Sequence, residues 1–121
     1  MRFNQDTGGG NGIRYYSEQG IVINDRLIST SVLVTAESVE AWPPGSLADL
    51  EERHLELLVA HQPGIIILGT GTTIAFPAPR LLASIQRRGI GIEVMANDAA
   101  LRTFNVLLSE DRKVLLALLQ G

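Results

Sequence analysis

Residues 64–73 read Gly64-Ile65-Ile66-Ile67-Leu68-Gly69-Thr70-Gly71-Thr72-Thr73, four consecutive large aliphatic side chains running into a glycine- and hydroxyl-rich turn. An apolar run without polar alternation predicts a strand covered on both faces, as in a parallel or mixed sheet flanked by helices. We therefore take this stretch as a central strand feeding a loop. Small residues in the loop can bring backbone N–H groups close to an anion or to a partner's carbonyl, where bulkier residues cannot.

Upstream of this strand, Ser46 to about Gln62 forms an amphipathic helix pattern closed by Pro63-Gly64. Ser46 is the expected N-cap, with Asp49 three residues later completing a capping box. Leu50, Leu57 and Leu58 supply the apolar face, and Glu51, Glu52, Arg53 and Glu56 the solvated one. Earlier still, Ile13 to Ser17 and Ile21 to Asn24 form a hairpin around Glu18-Gln19-Gly20, and Asn24-Asp25 makes a second turn. Leu27 to Thr35 is a strand rich in β-branched residues, and Val39 to Trp42 a short one stopped by Pro43-Pro44. Met1 to Gly12 is polar and glycine-rich and reads as a flexible arm, leaving 13–121 as one domain.

Downstream, Pro79 is suited to the first turn of a second helix ending near Gly89, and Ile90 to Met95 reads as a second buried strand parallel to the first. Asn97 or Asp98 caps a third helix to about Ser109, with Ala100, Phe104, Leu107 and Leu108 on its apolar face. Val114 to Leu119, containing Leu-Leu-Ala-Leu-Leu, has helical local propensity.

Composition narrows the function. A chain of 121 residues with 45% hydrophobic content can bury a substantial core. With no cysteine, it has neither disulfides nor thiolate chemistry. A net charge of -3 without a basic cluster offers nucleic acid no electrostatic footprint, and the aliphatic runs are too short to span a bilayer. No secretory or mitochondrial leader pattern is present at the amino terminus, so a cytoplasmic location is the expectation.

Several spaced motifs, Gly69-Thr-Gly, Phe76-Pro-Ala-Pro, Gly91-Ile-Glu-Val-Met, Ala99-Ala-Leu-Arg-Thr-Phe-Asn and Glu110-Asp-Arg-Lys-Val, together resemble a family of small prokaryotic proteins. Its mitochondrial relatives include the third-named respiratory complex I assembly factor. The resemblance implies a three-layer α/β domain with a central mixed sheet flanked by helices, following the antiparallel hairpin region. It also implies that Val114 to Leu119 is a final strand antiparallel to its neighbours. For function it implies protein partners and an assembly role, with no reaction attached. Two positions depart from the family pattern: Ala96-Asn97 stands where an Asp-Thr pair is usual, and Asp111 where a turn glycine is usual. Ala96 cannot replace a carboxylate, whereas Asn97 keeps a capping oxygen.

The residues themselves offer few catalytic patterns. Gly69-Thr-Gly-Thr-Thr lacks the third glycine of a dinucleotide fingerprint, and no Lys-Ser or Lys-Thr follows to make a phosphate-binding loop. His54 and His61 stand seven residues apart on one helix, about 10 Å along its axis, too far to share one metal ion. No catalytic residue, metal site or cofactor is assigned, and the reading leans away from an enzyme. Trp42 is read as core. Polar residues at the carboxyl ends of the two strands converge on a candidate crevice formed by Gly69, Thr70, Gly71, Thr72, Thr73, Asn97, Arg102, Thr103 and Asn105. Two functions follow: an interaction or assembly module, with a homodimer through an exposed sheet edge as a further expectation, or a small-molecule or anion-binding protein or undescribed enzyme using that crevice.

Overall fold

In a computed structural model, residues 13–17 and 19–120 are described. The amino-terminal arm expected over residues 1–12 lies outside them, as does Glu18 of the first hairpin turn. Three short strands, β1 (Ile13–Ser17), β2 (Gly20–Ile23) and β3 (Arg26–Ile28), form an antiparallel sheet in that order. Gly20, at φ 138°, is required there: a Cβ would collide with the Ile28 carbonyl as β2 and β3 approach. The expected Asn24-Asp25 turn is present, with both residues at positive φ.

A second sheet has five strands: β4 (Val32–Val34), β5 (Val39–Ala41), β6 (Ile65–Gly69), β7 (Gly91–Met95) and β8 (Val114–Leu118), ordered β5-β4-β8-β6-β7. Helices α1 (Glu52–Val59) and α2 (Pro79–Gln86) lie in the first and second connections of its β5-β6-β7 run, and α3 (Asn97–Ser109) joins β7 to β8. The core is two-sided. Ile67, Leu116 and Leu118 pack on one face with Phe104 and Ala100 of α3 and with Ile21 and Ile23 of the small sheet. Ile66, Leu68 and Leu115 pack on the other with Leu55 and Leu58 of α1, Leu81 and Ile85 of α2, and Trp42. This is the three-layer α/β arrangement with a mixed sheet, and β6 is buried on both faces from Ile66 onward.

Five local expectations change. Val114–Leu118 is a strand and the middle one of the sheet, buried at every position. Alternate side chains enter opposite core layers, so a run that locally favours helix is held extended by burial on both faces. Its pairing is mixed: antiparallel to β4, parallel to β6. The resemblance implied antiparallel neighbours on both sides, which a strand entering through α3 alongside β6 does not have.

The stretch ending at Met95 is an edge strand rather than a buried one. Gly91 and Glu93 are exposed, and Ile92 and Val94 are half-buried against the α1–α2 layer. The single strand expected over Leu27 to Thr35 is broken at Ser29-Thr30-Ser31, where the chain passes from one sheet to the other.

The first helix begins later than expected. Leu47–Asp49 is one 3-10 turn without a side-chain cap from Ser46, and Leu50 and Glu51 are extended. The break lets Leu50 enter the core, and the buried His54 accepts the Glu51 N–H at Nδ1, 3.0 Å away. With the helix starting at Glu52, Leu55 and Leu58 face inward and Leu57 is left 38% exposed. Trp42 is core, as expected, and donates its indole N–H to the His54 carbonyl at 3.2 Å.

The solvated face of α1 is tied to α2. Ser84 donates a short hydrogen bond to the Glu52 carboxylate, and Arg88 pairs with Glu56 at 3.0 Å. That guanidinium holds the Glu56 carboxyl below the ordinary carboxylate range, and Glu56 in turn raises Arg88. In the same way, Arg53 lowers Glu51.

Candidate functional site

At the carboxyl end of β6 the chain cannot carry a side chain. A Cβ on Gly69 would collide with Asn97 Oδ1 and Leu118 Cδ1, because the first turn of α3 and the end of β8 close directly over it. The glycine is therefore a packing requirement of the strand end rather than an opening for a ligand.

Asn97 locks the loop that follows. Buried to 1% exposure, it accepts the Gly71 N–H at Oδ1 (3.0 Å) while its own backbone N–H donates to the Gly71 carbonyl (2.8 Å). Its Nδ2 donates to the Leu119 carbonyl at 3.0 Å, and the Leu119 N–H reaches back to Gly69 at 2.9 Å. One side chain thus ties β6, α3 and the end of β8 together. This corrects the expected role of Asn97: the N-cap position of α3 is Ala96, without a side-chain cap, and the amide staples the loop instead.

Thr70 does the same work within the loop. Its backbone N–H donates to the Met95 carbonyl at 3.0 Å, its hydroxyl oxygen accepts the Ala75 N–H at 3.0 Å, and its proton is within reach of the Thr73 carbonyl at 3.2 Å. Of the loop N–H groups that could cradle an anion, those of Thr70, Gly71 and Ala75 are engaged with the protein itself. From Thr72 to Phe76 the chain is exposed, and Ile74 and Phe76 stand out at 52% and 67% exposure.

Of the crevice residues named from sequence, Gly71, Thr72 and Asn97 meet in a hollow of about 280 Å³ at the junction of the two sheets. Tyr16, Gln19, Ser29, Leu119 and Gln120 complete its wall. Gly69 and Thr70 lie behind it in the packing just described, and Thr73 is exposed in the loop. Arg102, Thr103 and Asn105 do not line the hollow. The Arg102 side chain is 72% exposed beside Asp98, 3.8 Å away, Thr103 donates to Met95 Sδ at 3.3 Å, and Asn105 is half-buried farther along α3.

Sequence reading missed Gln120. Its side-chain amide donates to the Ile28 and Thr30 carbonyls at 3.0 and 2.9 Å, and its backbone N–H to Ser31 Oγ at 2.8 Å, clamping the chain end to the crossing between sheets. These partners lie about ninety residues apart, and no local pattern announces them.

The two histidines have separate partners: His54 its own helix start, and His61 the Glu40 carboxylate at 3.1 Å. No group of three or more metal-ligating side chains occurs among the described residues. Nor is any helix among them long and apolar enough to cross a membrane.

Fold and site together define an α/β domain whose mixed sheet ends in a stapled loop carrying exposed apolar side chains. The chain belongs to the family described as protein of unknown function (DUF498/DUF598), whose model matches residues 13–119. It is 32% identical over 99 residues to NADH dehydrogenase [ubiquinone] 1 alpha subcomplex assembly factor 3 of Bos taurus, covering 80% of this chain and 54% of that protein. The chain thus spans about half the length of that relative. A 13 kDa major membrane protein of Francisella tularensis is 31% identical over 88 residues, covering 73% of this chain and 68% of the other. Among solved structures, that of a Xanthomonas campestris protein superposes with a TM-score of 0.84 at 36% identity, covering 100% of this chain and 93% of that one. The resemblance drawn from the spaced motifs is thereby established, together with the three-layer α/β fold and mixed sheet it implied, though not the antiparallel pairing of the last strand on both sides.

Proposed function

We propose that this chain is a non-catalytic interaction module acting in the assembly of a multisubunit complex, and that this complex is respiratory. The observation that carries the reading is the loop after β6. Asn97 and Thr70 fix its backbone, while Ile74 and Phe76 are left exposed. A pre-ordered loop presenting an aromatic and a branched aliphatic side chain suits a protein interface, where rigid anchors lose little entropy on docking. The name carried by the bovine relative supports assembly as the purpose of that contact. A cytoplasmic location belongs to the same proposal, with the partner at a membrane surface.

The test is to tag the protein, express it at native level in its host, crosslink, and identify partners in soluble and membrane fractions against an unrelated bait. Recovery of respiratory subunits or their assembly proteins, lost on Phe76→Ala, is the expected result. Equal recovery by the variant would remove the loop from the interface. Recovery of nothing beyond the bait would sink the assembly reading and favour a small polar ligand in the hollow beside Gly71, Thr72 and Asn97, which is lined in part by polar groups.

A further inference from the structure

The larger opening among those described lies at the opposite end of the sheet, where the amino ends of β6 and β8 meet the turn after β4. It is an open cleft of about 430 Å³, within the range of small-molecule sites. Three connections converge on it. The β4–β5 turn brings Glu37, the segment before β6 brings His61 and Pro63, and the α3–β8 turn brings Asp111, Arg112 and Lys113.

The charged side chains at its rim, Glu37, Asp111, Arg112 and Lys113, are exposed. His61 is occupied by Glu40, but Arg112 and Lys113 have no ion-pair partner among the described residues, and neither do Glu37 and Asp111. Lys113 is the single lysine in a chain that otherwise uses arginine for its cations. Buried Pro63, Leu108 and Val114 give the remaining wall an apolar part, beside half-buried Thr35 and Ala36.

Two free cations, two free carboxylates and an apolar wall restrict the ligand. A simple anion meets repulsion from Glu37 and Asp111, and a simple cation meets it from Arg112 and Lys113. A molecule bearing one group of each sign on an apolar body satisfies both pairs. We infer that this cleft binds a zwitterion with an apolar side chain, of amino-acid or dipeptide size. The inference is independent of the interaction reading, which concerns the other end of the sheet.

The single lysine supplies the probe. Reductive methylation with ¹³C keeps the positive charge and labels only Lys113 and the chain's amino group, so the Lys113 methyl resonance reports directly on the cleft. It is titrated with leucyl-leucine, N-acetyl-leucine, leucinamide and inorganic phosphate. The expected result is a saturable shift with leucyl-leucine, and binding weaker by about threefold or more for the two analogues that lack one charge, the scale of a charge pair at an exposed rim. Arg112→Gln and Asp111→Asn should each raise the apparent Kd by a similar factor. Asparagine tolerates the left-handed backbone at position 111, where φ is 61°, so that variant keeps the turn. Absence of a saturable shift with leucyl-leucine would overturn the inference. So would equal binding of N-acetyl-leucine or phosphate, which marks an anion site only, or unchanged affinity in both variants.

Discussion

The two ends of the five-stranded sheet are built on opposite principles. At the carboxyl end of β6 the chain spends its polar groups on itself: Asn97 alone holds Gly71 and Leu119, and Thr70 closes the loop. Outward, beside the exposed Thr72 and Thr73, stand the apolar side chains of Ile74 and Phe76. At the amino end the connections leave four charged side chains without ion-pair partners among the described residues, around a cleft with apolar walls. One end carries exposed apolar side chains on a hydrogen-bonded loop, and the other opens into a cleft with charged side chains at its rim. Loops at the carboxyl ends of strands are the usual seat of ligand sites in open α/β sheets, and here Asn97 and Thr70 take up part of the hydrogen-bonding capacity of that seat.

The sharpest way to break this contrast is to remove the staple. Asn97→Ala leaves the Gly71 N–H and the Leu119 carbonyl without their side-chain partner, and each buried group left so costs about 1–3 kcal/mol. We expect a loss of about 3 kcal/mol in denaturant unfolding; a loss under about 0.5 kcal/mol would mean that water replaces the amide and the loop is not stapled. Gly69→Ala acts on the same end by overpacking against Asn97 and Leu118 and should cost about 1–3 kcal/mol, seen as a lowered Tm.

The amino end should respond in the other direction. Asp111 holds φ 61°, a backbone conformation that glycine adopts without steric cost, so Asp111→Gly should stabilise by up to about 1 kcal/mol while removing one charge from the cleft. A destabilised variant would show that the Asp111 carboxylate makes a contact worth more than the backbone relief.

The smallest effect is electrostatic and lies on the α1–α2 surface, away from both ends. Arg88 depresses the folded-state pKa of Glu56, so the pair stabilises the fold above the ordinary carboxylate value, and that contribution is lost as pH falls through the lowered one. The stability difference between the wild type and Arg88→Gln should be present at pH 7, shrink in acid and weaken with salt, as expected for an exposed pair. A difference that persists unchanged to pH 2 would assign it to packing of the arginine stem.

Much of this architecture was legible because it is local. The aliphatic run at Ile65 to Leu68, the proline at the start of α2 and the Asn24-Asp25 turn each announce themselves within a few residues. Strand order was not, since pairing is a long-range property. Nothing near Val114 says that it lies between β4 and β6, and nothing near Gly91 says that β7 has a neighbour on one side only. The candidate site divides the same way. Gly71, Thr72 and Asn97 were drawn together because they follow adjacent parallel strands, and the structure does bring them together. Arg102 was grouped with them by helix alone, and its side chain stays in solvent beside Asp98. Gln120 escaped notice because its partners lie at the far end of the chain.

Amide hydrogen exchange at Gly71 tests the central claim most directly. If Asn97 staples the loop, the Gly71 amide is protected to the level of the β6 amides, and the protection collapses in Asn97→Ala. Exchange of the wild-type Gly71 amide at the rate of an exposed loop would contradict the account. It would return that N–H to the pool available for a ligand and remove the rigid frame on which Ile74 and Phe76 are proposed to meet a partner.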